Sequence, residues 1–315
     1  MKKIYLILVI ILLHNLSISL AQPGTLDPTF YCNNSPSNAF YTIQIQSDNK
    51  IIVGGVLTYI GGLYTGSLSR LLSNGDLDTT YHSPIVPFAF SSSLQPDGKL
   101  FASAPFNNNI CVRLDIFGNV DTTFNPSGGV LLNDDVLVQP DFKLLIGGGF
   151  TTYNGYSRNR LIRLNNNGSI DLTFDPHTGF NAQVTALALQ SDGKILVGGD
   201  FTTFNGVFRS HITRLDSDGS LDTAFNPGQG ISNYGISYPK INCISIQTDG
   251  KIIVGGNFDL YDSIPVHGLC RLNTNGSIDT SFIRQGYFTG PDGDEVRALG
   301  ILYVFRINWT FSGRI

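Results

Sequence analysis

Charge is scarce in this chain: Asp, Glu, Lys and Arg supply 14% of 315 residues, with a formal net charge of −4. A protein that grips phosphates needs a basic stripe, and none can be drawn here, so nucleic acid is not expected as a partner. Cysteine is sparse as well, four residues at Cys32, Cys111, Cys243 and Cys270, without the paired spacing of a metal site. The histidines at His82, His177, His211 and His267 share no spacing with Cys or carboxylates that would suggest zinc. There is no G-x-S-x-G, phosphate loop or dinucleotide fingerprint, so no catalytic residue, metal or cofactor is assigned. No segment carries a 3.6-residue apolar stripe, which removes helical bundles from consideration.

Long apolar runs are missing except at the N-terminus. Lys2 and Lys3 precede an apolar run over residues 4–13, and Ser19-Leu20-Ala21 places small residues where a signal peptidase reads. That is the pattern of a secretory signal over 1–21, cut after Ala21. The run is shorter than the about 20 residues a spanning helix needs, and no later stretch crosses a membrane. Export, to the medium or the cell surface, is therefore expected.

What the chain has in quantity is glycine, 35 residues, and aromatic side chains, 11%. They are organised by repetition. Units fall at 40–81, 88–124, 133–174, 183–225 and 241–282, with a partial one at 295–315, making 22–315 one repeat domain. The closing L-D-x-T-F places its Asp at Asp27, Asp78, Asp121, Asp171, Asp222 and Asp279, at intervals of 43 to 57 residues. In the fourth unit, strands are expected at 184–190, 194–202, 208–215 and 220–225, divided by Gly, Asn and Asp turns. Four antiparallel strands repeated about an axis predict an all-β fold, a β-propeller of five complete blades and an incomplete sixth. An open β-solenoid is the alternative, but its coils have shorter periods.

The turns carry their own chemistry. Asp216-Ser217-Asp218-Gly219 has the preference of a type I turn closed by a left-handed Gly, and the frame recurs at 115–118, 165–168 and 273–276. Such a hairpin sets Arg70 opposite Asp78, Arg113 opposite Asp121, Arg163 opposite Asp171, Arg214 opposite Asp222 and Arg271 opposite Asp279, all eight apart. A cross-strand pair in every unit is a structural device, because a single active site needs asymmetry. Asp216, Asp218 and Asp222 also look like part of a calcium loop. No later bidentate Glu follows, sister repeats carry residues such as Asn or Phe within the loop, and the turn explains the pattern without a metal. A second spacing marks the first hairpin: Gln46/Lys50, Gln95/Lys99, Gln139/Lys143, Gln190/Lys194 and Gln247/Lys251 are four apart. Gly pairs follow at 54–55, 147–148, 198–199 and 255–256, with Ser103-Ala104 in the second unit, small enough for neighbouring blades to approach closely.

Together, Q-x-D-G-K, a Gly pair, F-T-x-x-N-G, R-L and G-x-L-D-x-T-F resemble the delta-60 repeat family of bacterial β-propellers, over nearly the whole chain past the signal. The resemblance implies extracellular or surface-exposed propellers, often within larger proteins, with no assigned activity and no catalytic residues to carry over. Residues 26–30 resemble the last strand of a unit and would complete the final blade. The tail after residue 300, with the lone Trp309, departs from the repeat, as a truncated or frame-altered chain would.

Cys243 and Cys270 fall on the first and third strands of one unit, too far apart for a disulfide. The binding candidates are the loops after the second strand: Tyr59, Tyr153, Phe204 and Tyr261, followed in three units by Asn154, Asn205 and Asp262. An aromatic face beside an amide or carboxylate suits stacking on a sugar ring. The competing and favoured reading is that these rings pack against the next unit. The expected function is an exported interaction or surface-structural module with a protein or glycan partner. The alternatives are a carbohydrate-binding, lectin-like propeller and a polysaccharide hydrolase or lyase with its site over the central channel.

Overall fold

A computed structural model describes residues 40–282 except 57–58, 61, 85–87, 107–108, 127–132 and 236–237. The secretory signal, the 26–30 segment, Cys32, the partial sixth unit and Trp309 lie outside the described residues. Apart from one short 3-10 turn at Thr280–Phe282, the described regular structure is entirely β. No helix there is long and apolar enough to cross a membrane.

In the fourth unit, Val184–Leu189, Ile195–Gly199 and Ile212–Leu215 form an antiparallel sheet in that order. The other units repeat it, for example as Phe40–Ile45, Ile51–Gly55 and Leu68–Leu71 in the first and Lys240–Ile246, Ile252–Asn257 and Leu269–Leu272 in the fifth. The middle strand Ile195–Gly199 is buried along its whole length, which is why it reads I-L-V-G-G without polar alternation.

The expected fourth strand is reduced to a single bridge. Leu215 pairs with Leu221, as Leu71 does with Leu77, Leu114 with Val120, Leu164 with Ile170 and Leu272 with Ile278. The chain then leaves the ladder because the Asp carboxylate captures the backbone two residues on. The N–H of Ala224 donates to Asp222 Oδ1 at 2.9 Å, and that of Thr80 to Asp78 Oδ1 at 3.0 Å. These sheets are therefore three-stranded with a one-residue fringe. The expected strand 208–215 also divides. Val207–Phe208 pairs with Thr203–Phe204 in a small separate hairpin, while Ile212–Leu215 joins the main sheet. A positive-φ residue makes the break, Arg160 (72°), His211 (66°) or Gly268 (80°) in three successive units.

Consecutive units share their cores. Leu145, Leu161 and Phe174 of the third unit cluster with Val184, Leu187 and Val197 of the fourth; Leu196, Ile212 and Phe225 of the fourth cluster with Ile241 and Val254 of the fifth. The two glycines of each pair have different reasons. A Cβ on Gly147 would sit 2.5 Å from Val184 Cγ1 of the next unit, and one on Gly198 2.6 Å from Ile241 Cγ2. A Cβ on Gly199 would strike the Gln183 carbonyl, where the first strand bulges between Val184 and Ala186. Cys243 and Cys270 oppose Gly255 and Val254 on either side of the middle strand, and no disulfide joins them. Burial pushes the Cys111 and Cys270 thiols up, away from the reactive thiolate.

Candidate functional site

Two repeated constructions carry the chemistry-bearing side chains. The first lies at the turn end of each sheet. Arg Nε reaches Asp Oδ2 at 2.9 Å for Arg70/Asp78 and Arg113/Asp121, 2.7 Å for Arg163/Asp171, 2.6 Å for Arg214/Asp222 and 2.8 Å for Arg271/Asp279. The same oxygen receives a lysine from the first hairpin. Lys99 Nζ stands 2.8 Å from Asp121, Lys143 3.0 Å from Asp171, Lys194 2.9 Å from Asp222 and Lys251 2.7 Å from Asp279, with Lys50 at 3.5 Å from Asp78. Each guanidinium lies over the ring eleven residues on, 4.7 Å from Tyr81 and Phe174 and 5.0 Å from Phe225 for Arg70, Arg163 and Arg214. Its free nitrogen then crosses into the following unit. Nη1 of Arg70, Arg113 and Arg163 donates to the turn carbonyls of Ile116, Asn166 and Ser217 at 2.7, 2.7 and 2.6 Å.

The carboxylate of each knot is held by several partners at once. Burial alone would raise the Asp78 carboxyl, but the Thr80 hydroxyl and N–H and the Arg70 guanidinium bring it down to about 2. Asp222 is likewise held at about 2, by Lys194, the Ala224 N–H and Arg214 against the opposing effect of burial. The lysine's part was not read from the sequence, although Lys and Asp stand 28 apart in four of the five units. In the calcium-like loop, Asp216 holds Lys194 at 2.7 Å and Asp218 accepts the Ser220 hydroxyl at 2.7 Å, so hairpin contacts occupy both carboxylates. Asp135, also not singled out in sequence, ties three units together. It accepts the Ser91 hydroxyl of the second and the Leu187 N–H of the fourth, both at 2.7 Å.

The second construction is the small hairpin at the opposite end of the middle strand. Asn154 and Gly155 have φ of 47° and 79°, Asn205 and Gly206 50° and 77°, and Asp262 and Ser263 47° and 67°, as a type I′ turn requires. Tyr153, Phe204 and Tyr261 are buried to 1%, 0% and 0% exposure, so their faces cannot meet a ligand. Tyr153 Oη donates to the Pro126 carbonyl, Tyr261 Oη to that of Gly276, and Phe204 packs 4.7 Å from Phe180. Asn205 Oδ1 accepts the Thr178 hydroxyl and the Gly179 N–H, each at 2.8 Å, and Asp262 Oδ1 accepts the Gln229 N–H at 3.0 Å. Both fasten the incoming linker to the hairpin. Around Tyr153, Phe204 and Tyr261 the contacts are thus packing and linker contacts, as in the reading favoured above.

Tyr59 is out of register with the other three. Ile60 pairs with Leu63 as Phe204 pairs with Val207, so Ile60 is the buried equivalent and Tyr59 stands one place earlier. Tyr59 (49% exposed) is the candidate ring that stays in solvent, and with it the hairpins expose Tyr64 (66%), Tyr156 (49%) and Phe208 (52%), beside apolar Leu63 and Val207. Tyr59 and Tyr64 face each other across the two strands, ring centroids 5.8 Å apart and planes at 77°, an open aromatic corner.

Four segments, 46–81, 139–174, 190–225 and 247–282, match the family model described as a domain of unknown function (DUF5122), beta-propeller. They cover four of the repeats expected to resemble the delta-60 family. The described chain is thus an all-β repeat protein, four of whose repeats match a β-propeller family model. Similar solved structures include the extracellular domain of a B. thetaiotaomicron protein, at 13% identity over 78% of this chain, with a TM-score of 0.45. The chain spans 28% of that protein's length. Others are a protein of unknown function from Bacteroides caccae (11% identity, 76% of this chain and 79% of that one, TM-score 0.45) and a streptogramin B lyase (12%, 78% and 69%, 0.45). No curated protein matches the chain.

Proposed function

We propose that this propeller is an exported interaction module of the cell surface or its surroundings, and that it binds through the hairpin end of its units. The observation that carries this reading is the division of labour between the two ends. Charged groups at the turn end are spent on one another and on the next unit, whereas the hairpins hold Tyr59, Tyr64, Tyr156 and Phe208 out in solvent. Exposed large apolar side chains also occur elsewhere, at Phe117, Leu172 and Tyr238, but in these hairpins aromatic rings stand in solvent on uncharged segments. Exposed apolar groups of this kind mark places where something else docks. Export rests on the N-terminal Lys pair, apolar run and small-residue site over residues 1–21.

The test is retention on the producing cell. The exported chain is expected to sediment with washed cell envelopes. A variant carrying Tyr59→Ser, Tyr64→Ser, Tyr156→Ser and Phe208→Ser is expected to remain in the medium with its fold intact. Equal sedimentation of both proteins, or retention of both inside the cell, would refute the proposal.

A further inference from the structure

We infer that the exposed hairpin aromatics form a repeated binding site for a neutral polysaccharide, with the Tyr59–Tyr64 corner as its best-formed copy. The inference rests on the hairpin end being the docking end, and it names the ligand. Three features point to a sugar polymer. First, the surface is uncharged: the described residues of 59–65, and all of 152–157 and 203–208, contain no Asp, Glu, Lys or Arg. The adjoining Arg158 and Arg209 turn Nη1 back on the Ser157 and Phe208 carbonyls at 3.0 and 2.8 Å. An acidic ligand would meet little free positive charge there.

Second, the rings have the right two-sided character. A pyranose offers an apolar C–H face and a rim of hydroxyls. Tyr offers an apolar face and a phenol at its edge. In the corner the planes stand at 77°, so one ring can serve as platform while the other walls the sugar from the side. The left-handed Asn-Gly turns at Asn154 and Asn205 give the hairpins of Tyr156 and Phe208 a defined twist, which lowers the ordering cost on binding. Third, the site is repeated. Phe208 occupies the Tyr64 position, opposite Thr203 as Tyr64 is opposite Tyr59, and Tyr156 stands at the Leu63 position of another unit. In the third unit Asn154 and Gly155 precede Tyr156, whereas Leu63 (54% exposed) adjoins Tyr64 and Val207 (43%) adjoins Phe208, so each hairpin offers a small, partly apolar site of its own. Weak sites recurring from unit to unit suit a ligand that itself repeats, because a polymer engaging several of them gains avidity without any strong single contact.

The experiment is affinity electrophoresis of the exported chain, residues 22 onward, in gels containing β-glucan, xylan, galactomannan or, as an acidic contrast, alginate. Calorimetry with the retarding polymer follows. At least one neutral polymer is expected to retard the protein and alginate to leave it unretarded. Tyr64→Ser should weaken binding about tenfold, and the four-ring variant should abolish it at unchanged Tm. Leu172→Ser, which removes an equally exposed apolar side chain elsewhere, should bind like the parent. Failure of every neutral polymer to retard the protein, or undiminished binding by the four-ring variant, overturns the inference. If no polymer binds while envelope retention is still lost in the four-ring variant, the hairpin end docks a protein: the sugar is wrong and the interaction module stands. If retention too is unchanged, both fall.

Discussion

The two ends of each unit use side chains of similar size for opposite purposes. At the turn end, Arg163 meets Asp171, Thr173, the Phe174 ring and the Ser217 carbonyl of the following unit, so all three of its guanidinium nitrogens are engaged. At the hairpin end, Tyr64 touches Tyr59 and otherwise faces water. The first arrangement makes neighbouring units mutually dependent, as expected where each repeat contacts only those beside it. The second leaves surface for a ligand. Repetition in sequence therefore does not by itself distinguish scaffold from binding site; saturation of the side chain does.

Asp171→Ala should break the comparison most severely. Arg163 and Lys143 would keep their charges beside an apolar core, at a cost of about 3–5 kcal/mol, read as a large fall in the urea midpoint. If Asp171→Ala is no worse than a surface change, the knots are ornamental. Gly147→Ala comes next, since its Cβ meets Val184 Cγ1 across the unit boundary, and overpacking of this kind costs about 1–3 kcal/mol. The same measurement on Gly155→Ala, where no neighbour lies within 4 Å, isolates left-handed backbone strain from packing.

Acid sharpens the comparison in two windows. His211 is buried beside Ser210, its Nδ1 2.8 Å from the Ser210 hydroxyl, and burial lowers it from 6.5 to about 4. Its folded value lies below its unfolded one, so the neutral imidazole contributes stability that is complete above pH 6.5 and lost as pH falls toward 4. That loss is on the order of 3 kcal/mol and should vanish in His211→Asn. Asp78 and Asp222, held at about 2, contribute stability present above their unfolded value of 3.8 and lost as pH falls from there toward 2. Unfolding midpoints measured from pH 7 to pH 2 should show both declines. A flat profile between pH 6.5 and 4 would remove His211 from the account.

Two smaller effects remain. The Arg271 side chain is 19% exposed against 7% for Arg163. Arg271→Ala should therefore lower Tm less than Arg163→Ala. Tyr64→Ser should shift stability by no more than about 0.5 kcal/mol, which separates any loss of binding from loss of fold.

Much of the turn end is legible in the sequence because its geometry is local. A hairpin of fixed length puts Arg214 against Asp222 whatever surrounds it. The lysine escaped notice because it arrives from another strand, and a spacing of 28 residues has no meaning until the sheet is folded. The fourth strand was over-read: L-D-x-T-F alternates like a strand, but its Asp competes for the backbone and ends the ladder after one pair. Tyr59 lines up with Tyr153 by sequence because a Thr precedes each, and only the pairing of Ile60 with Leu63 reveals the one-place offset.

The sequence by itself determined the all-β class, the repeat, the positions of the tight turns and the cross-strand partners within each hairpin, since all of these depend on residues a few places apart. Only the tertiary structure decided which aromatic side chains are buried and which meet solvent. On the two sides of a two-residue hairpin, Phe204 and Phe208 are chemically identical. One is covered by Phe180 of the incoming linker and the other stands half exposed, and that difference is made by the neighbouring chain, not by the residue.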